Sequence, residues 1–440
     1  MQIKFYLSLI IAKTVSTILK ITKLSGGTSI IGKIVLKICP NFLSYANKYI
    51  KTKINVTGTN GKTTTSGLIS HLLKENGNSV INNSMGANMI QGVVNAISVE
   101  LNPFKRYDFS VIESDEAFLE VIYDKFEADY LVVTNLFRDQ LDRYGELATT
   151  KKFIQNGIDK KADLTLLLNA DDPLVASFTG GSRHIFYGVE NVVYKDGLEP
   201  SKTSIEEAFS CPCGKSLNYE KKFFAQQGHY YCECGYKRPE PQYKADVILY
   251  KDYSVLFVNE EEYRVPLIGL FNAYNALAAI ALCKELKIPT NVIQRNLNSF
   301  KVAFGRSEIK YLNNKKTLIQ LIKNPIGANE VLKTVDKNSN ILIIINDNYA
   351  DGRDVSWLWD ADFSILSDIE KEVVVSGIRA NDMALRLKYA GVSADKIKVI
   401  SDINESVDYI GKIAESGITI LPTYTALLQL NKLKQLKKKL

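Results

Sequence analysis

The stretch KTKINVTGTNGKTTTSGLISHLLKENG, residues 51–77, constrains the fold more than any other. A strand-like run leads into a glycine-bearing loop. Leu68, Ile69, Leu72 and Leu73 then recur on one helical face. Gly58 and Gly61 let backbone amides approach a bound anion, and the helix start favours negative charge. Lys62 can reach the outer phosphates of a nucleotide, and the Thr63 hydroxyl can bind Mg2+. Val56 stands where the strict phosphate-loop pattern has its first glycine, so this loop is a variant.

Further apolar runs follow: DFSVIES, ADYLVVTN and DLTLLLNAD, separated by helix-like sequence. The alternation predicts an α/β fold, a doubly wound, mostly parallel sheet with helices on both faces. A polar break at 190–245 looks inserted, after which FNAYNALAAIALCKEL returns to the main domain. Beyond residue 305, NILIIIND, KEVVVSG, DKIKVIS and GITILPT predict a second doubly wound domain. At 440 residues the chain is too long for one ordinary core. The expected division is an N-terminal helical segment over 1–48, a nucleotide-binding domain over 49–303 with a cysteine-rich insertion at 205–240, and a C-terminal α/β domain over 304–440.

Net charge is +7, with basic residues gathered at both ends. The opening MQIKFYLSLIIAKTVSTILKITKL interleaves lysine with leucine and isoleucine at helical spacing. That suits an amphipathic helix, packed on the protein body or lying against a membrane. Its longest uncharged run, FYLSLIIA, falls short of the about 20 apolar residues a span needs. No small-residue cleavage site follows, so neither a span nor a signal peptide is expected. The expected location is the cytoplasm, with peripheral contact at the inner face of the membrane left open. Cys39 and Cys283 are isolated in apolar contexts. Cys211, Cys213, Cys232 and Cys234 form two close pairs 18 residues apart, each followed by glycine. Without an export signal, a structural Zn2+ fits them better than disulfides. The first pair, C-P-C, is a shorter knuckle than the usual C-P-x-C. His229 is a further candidate ligand, but is expected to stay out. The insertion carries only scattered basic residues, so nucleic acid is not an expected partner.

GTNGKTTT resembles the ATP loop of the Mur ligase family, which includes the folylpolyglutamate synthases. TNLFRDQLDRYGE (134–146), LLNADDP (167–173), FNAYNALAA (271–279) and FGRSE (304–308) follow in the family's order. NNSMGANM (82–89), KNPIGANEVL (323–332) and NDNYADGRDVSWLWD (346–360) resemble the MurT branch, synthetase subunits of lipid II isoglutaminyl synthase. The resemblance implies a Mur-ligase fold carrying a zinc ribbon. It implies ATP held by Gly58, Thr59, Asn60, Gly61, Lys62, Thr63 and Thr64, with Asn275 at the adenine and Arg306 at the γ-phosphate. Mg2+ would sit on Thr63 and Glu113. The implied reaction activates the α-carboxylate of D-glutamate in lipid II as an acyl phosphate. Ammonia from a GatD-type glutaminase, the second half of a heterodimer, then converts it to the amide.

The chain also departs from the wider family. Only some fifty residues precede the loop, which argues against a UDP-linked substrate bound in the usual way. Gln140 replaces a family histidine, and the family's H-N-P is KNP at 323–325. A glutaminase needs a cysteine nucleophile, a histidine base and an acid to orient it. Here no G-x-C-x-G-type elbow occurs, and His71, His184 and His229 sit in no such pattern. The nucleophile is therefore expected on another chain. By the resemblance, an aspartate following the run SNILIII completes the partner's Cys–His pair. Motif position puts that role on Asp354, with Asp347 and Asp351 as runners-up; helix capping is the plain structural alternative. Two other functions stay open: an amino-acid ligase of folylpolyglutamate type, and a zinc-ribbon ATPase acting on nucleic acid.

Overall fold

The computed structural model describes residues 2–21, 30–83, 88–137, 147–198, 211–300 and 306–436. The first domain contains β1 (Ile50–Thr57), β2 (Val80–Asn82), β3 (Tyr107–Glu113), β4 (Tyr130–Val133), β5 (Thr165–Asn169) and β6 (Arg183–Tyr194). A hairpin of β7 (Asn218–Phe224) and β8 (Gln227–Tyr231) follows, then β9 (Tyr243–Leu249), β10 (Ser254–Val258) and β11 (Glu261–Val265). Nine of these form one sheet in the order β11-β10-β9-β6-β5-β4-β1-β3-β2. It is parallel from β2 to β9, and β10 and β11 extend it as an antiparallel meander. The chain leaves β1 for one side and later crosses back to β4 on the other. The loop after β1 thus lies at the switch point, where open α/β sheets bind ligands.

Successive strand residues feed opposite layers. Val111 joins the core beneath α3 (Lys62–Glu75) and α5 (Leu270–Glu285), whereas Ile112 joins the core on the other face. Leu68, Ile69, Leu72 and Leu73 of α3 are all buried, as their spacing predicts. Small residues Ala273, Ala276, Ala278 and Ala279 on the buried helix α5 keep its surface low.

On the opposite face lie α1 (Gln2–Ile21), α2 (Ile30–Ile38) and α4 (Ile90–Glu100). Phe5 of α1 stacks on Phe42 at 5.1 Å and on Tyr49 at 5.7 Å, and Leu9 and Ala12 are buried beside it. The expectation that this segment is too short to span needs correcting. Helix α1 is long and apolar enough by length and composition, because Lys4 and Lys13 interrupt the run without ending the helix. Its Phe5 face nevertheless packs on the protein.

The second domain holds β12 (Arg306–Leu312), β13 (Lys315–Gln320), α6 (Pro325–Leu332), β14 (Asn340–Ile344), β15 (Val373–Ser376), β16 (Ile397–Val399) and β17 (Ile418–Pro422). The sheet order is β12-β13-β17-β14-β15-β16, with only β12 antiparallel. The β12–β13 turn uses Asn313 and Asn314, both at positive φ, the conformation a tight hairpin needs. Sequence reading passes over this hairpin and over β9 to β11. In β11, β12 and the start of β9 apolar residues alternate with charged ones, and the apolar run VLFV of β10 is only four residues long.

Candidate active site

The loop after β1 is fastened from a neighbouring strand end. The Asn60 amide donates to Asn135 Oδ1 at 2.9 Å, and Asn135 Nδ2 and Thr134 Oγ1 both donate to the Asn60 carbonyl. Thr59 Oγ1 exchanges hydrogen bonds with the backbone of Phe137. The first residues of TNLFRDQLDRYGE therefore hold the loop, while residues 138–146, including Gln140, lie outside the described residues. Gly61 has φ +85°, and a Cβ there would lie 2.0 Å from Asn275 Oδ1. Such close approach of bare backbone suits a phosphate cradle.

Lys62 opens α3. Its Nζ donates to Glu116 at 2.8 Å and to the Gly58 carbonyl at 2.5 Å. Burial opposes its charge, but Glu116, Asp115 and Glu113 outweigh that and hold it above its ordinary value. Burial pushes Glu116 up, against the pull of Lys62. Thr63 Oγ1 donates to Glu113 Oε2 at 2.6 Å, and Asn88 Nδ2 approaches the other oxygen at 3.4 Å. A hydroxyl and a carboxylate oxygen at that distance are placed to share one hard cation. Glu116 escaped the sequence reading, although three acids within four residues of VIESDE were a visible signal.

Beside the loop lies a cleft lined among others by Thr64, Asn135, Phe137, Phe224, Asn275 and Lys323. Asn275 is held by Thr65 and Asn272, each at 3.3 Å. The second domain reaches the loop through KNP. Asn60 and Asn324 exchange amide hydrogen bonds at 3.1 and 3.4 Å, and Lys323 Nζ donates to the Thr59 carbonyl at 3.3 Å. Pro325 then starts α6. The side chain of Arg306 lies outside the described residues.

The cysteine insertion contributes Phe224 to the lining of the cleft. Cys211 Sγ lies 3.3 Å from Cys234 Sγ, and Cys213 Sγ lies 3.7 Å from Cys232 Sγ. All four sulfurs fall within 4.8 Å of one another. Zinc–sulfur bonds of about 2.3 Å in a tetrahedron place sulfurs about 3.8 Å apart, so the four thiols fit a structural zinc. Both knuckles share one backbone pattern: Cys211 N donates to Lys215 O and Cys232 N to Tyr236 O, each at 2.7 Å. The short C-P-C therefore has a C-E-C counterpart of the same shape. His229 stays out, bonded to the Val189 carbonyl at 2.8 Å. From the knuckles the hairpin runs inward to Phe224, which touches Phe137 and Tyr274 edge to face or tilted at 5.9 and 5.7 Å. The acids of LLNADDP fasten this insertion. Buried Asp171 accepts from Arg238 Nε at 2.6 Å and from Tyr274 OH at 2.7 Å. Asp172 accepts from Leu136 N and Gln226 Nε2 and caps a short helix, and burial pushes it up to about 6.

The three acids after β14 are not alike. Asp347 is paired with Arg379 at 2.7 Å. Asp351 is buried and accepts from the amide and hydroxyl of Thr425 at 2.6 and 2.5 Å. Asp354 is half-buried; its Oδ1 accepts from Ser356 N at 2.8 Å, and its Oδ2 takes no partner among the described residues. Nearby, Trp359 meets Tyr389 edge to face at 5.6 Å, and both rings are exposed. His71 and His184 are each bonded to a backbone carbonyl.

Residues 56–229 match the Mur ligase middle domain, and residues 321–427 match the MurT ligase C-terminal domain. The MurT subunit of lipid II isoglutaminyl synthase (glutamine-hydrolyzing) from Streptococcus pneumoniae is 34% identical over 98% of this chain and 97% of its own. The same subunit from Staphylococcus aureus is 35% identical over 91% of both chains. Among solved structures, a pseudomurein peptide ligase type C from Methanothermus fervidus superposes with a TM-score of 0.67 at 25% identity, covering 92% of this chain and 84% of that one. On this similarity, spanning both domains and nearly the whole of each relative, the chain belongs to the MurT family of Mur-type ligases.

Proposed function

We propose that this chain is the synthetase subunit of a glutamine-dependent amidotransferase, converting the α-carboxylate of D-glutamate in lipid II to the amide. The observation that carries the reading is the pairing of two separate devices on one chain. One is a complete phosphate-handling loop. The other is a half-buried acid, Asp354, with one carboxylate oxygen lacking a partner among the described residues, five residues before the exposed Trp359, in a chain whose three histidines are all bonded to backbone carbonyls. The first suits carboxylate activation. The second suits a partner subunit that brings the cysteine and histidine of a glutaminase and lacks only the acid.

Carboxylate is a poor electrophile, and ATP supplies the remedy: transfer of its γ-phosphoryl group releases ADP and makes an acyl phosphate, from whose carbonyl carbon ammonia displaces inorganic phosphate. The protein's part is placement and charge neutralisation. The loop amides from Gly58 to Thr64 and the α3 N-terminus surround the phosphates. Lys62 turns from Glu116 toward phosphate oxygens. Thr63 and Glu113 would hold Mg2+, which neutralises charge between the phosphates. Asn275 and the wall at Phe224 seat the base, and the family resemblance assigns Arg306 of the second domain to the γ-phosphate. Cys211, Cys213, Cys232 and Cys234 would hold a structural zinc that fixes the wall. Asp354 is a positioning residue for the partner's histidine. ATP and the lipid-linked substrate meet at the cytoplasmic face of the membrane.

The test supplies lipid II, ATP and Mg2+ and reads carboxylate-to-amide conversion by mass spectrometry. Ammonium salt alone should support amidation by wild type and by Asp354→Asn. Glutamine with the glutaminase partner should support it only in wild type. Amidation of lipid II under no condition, with free amino acids accepted instead, would favour the folylpolyglutamate-type ligase.

A further inference from the structure

The N-terminal helices carry a feature that ATP chemistry does not use. Residues 1–61 contain nine lysines and no acidic residue, whereas the rest of the chain has two more acids than bases. The whole positive excess of the protein therefore lies in this unit. Helix α1 is apolar on two opposite sides. Phe5, Leu9 and Ala12 face the body. Ile3, Leu7, Ile10, Ile18 and Ile21 recur along the other side at helical spacing and are 46–80% exposed.

A second element converges there. The loop after α4 presents Phe104, which is 98% exposed, followed by exposed Lys105 and Arg106. It is tied to the first turns of α1: Arg106 donates to the Lys48 carbonyl at 3.1 Å, and the adjacent Tyr49 bonds Tyr6 OH at 3.2 Å. Lys4, Lys33, Lys37, Lys48 and Lys51 are also exposed on this unit. Exposed apolar side chains gathered with exposed cations on one unit call for an occupant. A second copy of the chain would oppose like charges. An anionic bilayer matches both features, with apolar side chains entering the headgroup boundary and lysines meeting lipid phosphates.

We infer that the outer face of α1, with Phe104, is a docking surface for an anionic lipid bilayer, on which the protein lies without α1 leaving its own core. The surface stands apart from the phosphate loop, and the inference does not depend on the amidation reading.

The experiment is cosedimentation of the full chain with vesicles containing no lipid II, made of phosphatidylglycerol with phosphatidylcholine or of phosphatidylcholine alone. The wild type should bind the anionic vesicles, weaken steeply as salt rises, and bind neutral vesicles at least tenfold less. Leu7→Asp with Phe104→Asp, and separately Lys4→Gln with Lys48→Gln and Lys105→Gln, should each lose about tenfold or more. Both variants should bind ATP like the wild type, showing that they fold. Absence of binding to anionic vesicles would overturn the inference. So would equal binding to neutral vesicles, unchanged binding in folded variants, or a wild-type dimer that Leu7→Asp makes monomeric. None of these outcomes bears on lipid II amidation, which is read separately.

Discussion

Replacing Gly61 by alanine tests how closely the loop is fitted to the helix that carries Asn275. Two effects add. An alanine at φ +85° is strained by about 1 kcal/mol. Its Cβ would also stand 2.0 Å from Asn275 Oδ1, so Asn275 must move. That movement gives up its hydrogen bonds to Thr65 and Asn272, each 3.3 Å long, at about 1 kcal/mol apiece. If all of this falls on the nucleotide-competent arrangement, the loss is about 3 kcal/mol, or roughly 150-fold in ATP affinity. Gly77, at the other end of α3, separates the two effects. It has the same φ of +85°, but a Cβ there meets nothing within 4 Å. Gly77→Ala should lower stability by about 1 kcal/mol and leave ATP affinity unchanged. The assay is calorimetric titration of ATP with Mg2+ into wild type, Gly61→Ala and Gly77→Ala, with thermal unfolding as the check on folding. If Gly61→Ala binds ATP within threefold of wild type, the loop is not held against Asn275 as described.

Three further outcomes follow from the geometry. Phe224→Ala removes a ring that lines the cleft and should raise the Kd for ATP about tenfold by titration, while the four-thiol cluster still takes up metal. Co2+ added to metal-stripped protein should give the visible charge-transfer bands of four thiolates, and Cys232→Ser should weaken them and lower the midpoint of thermal unfolding; absence of the bands in wild type would reject the thiolate site. Burial raises Asp172 to about 6, so the protonated carboxyl is the favoured form in the fold; its contribution is full below about pH 4 and is lost as pH rises through about 6. Ionising it opposes folding by about 3 kcal/mol, and that pH-dependent component should vanish in Asp172→Asn when urea unfolding is compared at about pH 4.5 and about 7.

What the sequence made legible was what local pattern determines. The 3.6-residue spacing of Leu68, Ile69, Leu72 and Leu73 marks a buried helix face, and all four are buried. The glycine-lysine-threonine loop needs only its own strand and helix, and the four cysteines needed only their pairing. The rest depends on distance in the chain. Asn60 meets Asn324 across 264 residues, and neither asparagine differs in sequence from one that caps a turn. Nothing in the sequence singles out Phe224 within the cysteine-rich insertion, yet the fold carries it to Phe137 and Tyr274. Asp171 and Asp172 fit a family motif, but what they do is fasten the insertion, through Arg238 and Gln226 that come later in the chain. Among the acids after β14, motif position could rank Asp354 first, but only the fold shows Asp347 occupied by Arg379 and Asp351 by Thr425.

The hairpin that carries two of the thiols' neighbours into the cleft makes one wall serve two ligands. Coupling between two binding events is reciprocal, so any tightening of ATP that a filled thiolate site produces must be returned as an equally tightened hold on the ion when ATP is bound. With such coupling, nucleotide saturation would help a bound ion shield Cys213 and Cys234, the two exposed thiols, from oxidants. A cell low in nucleotide would expose the same thiols first, and the enzyme's lifetime under oxidation would follow the energy charge of its surroundings.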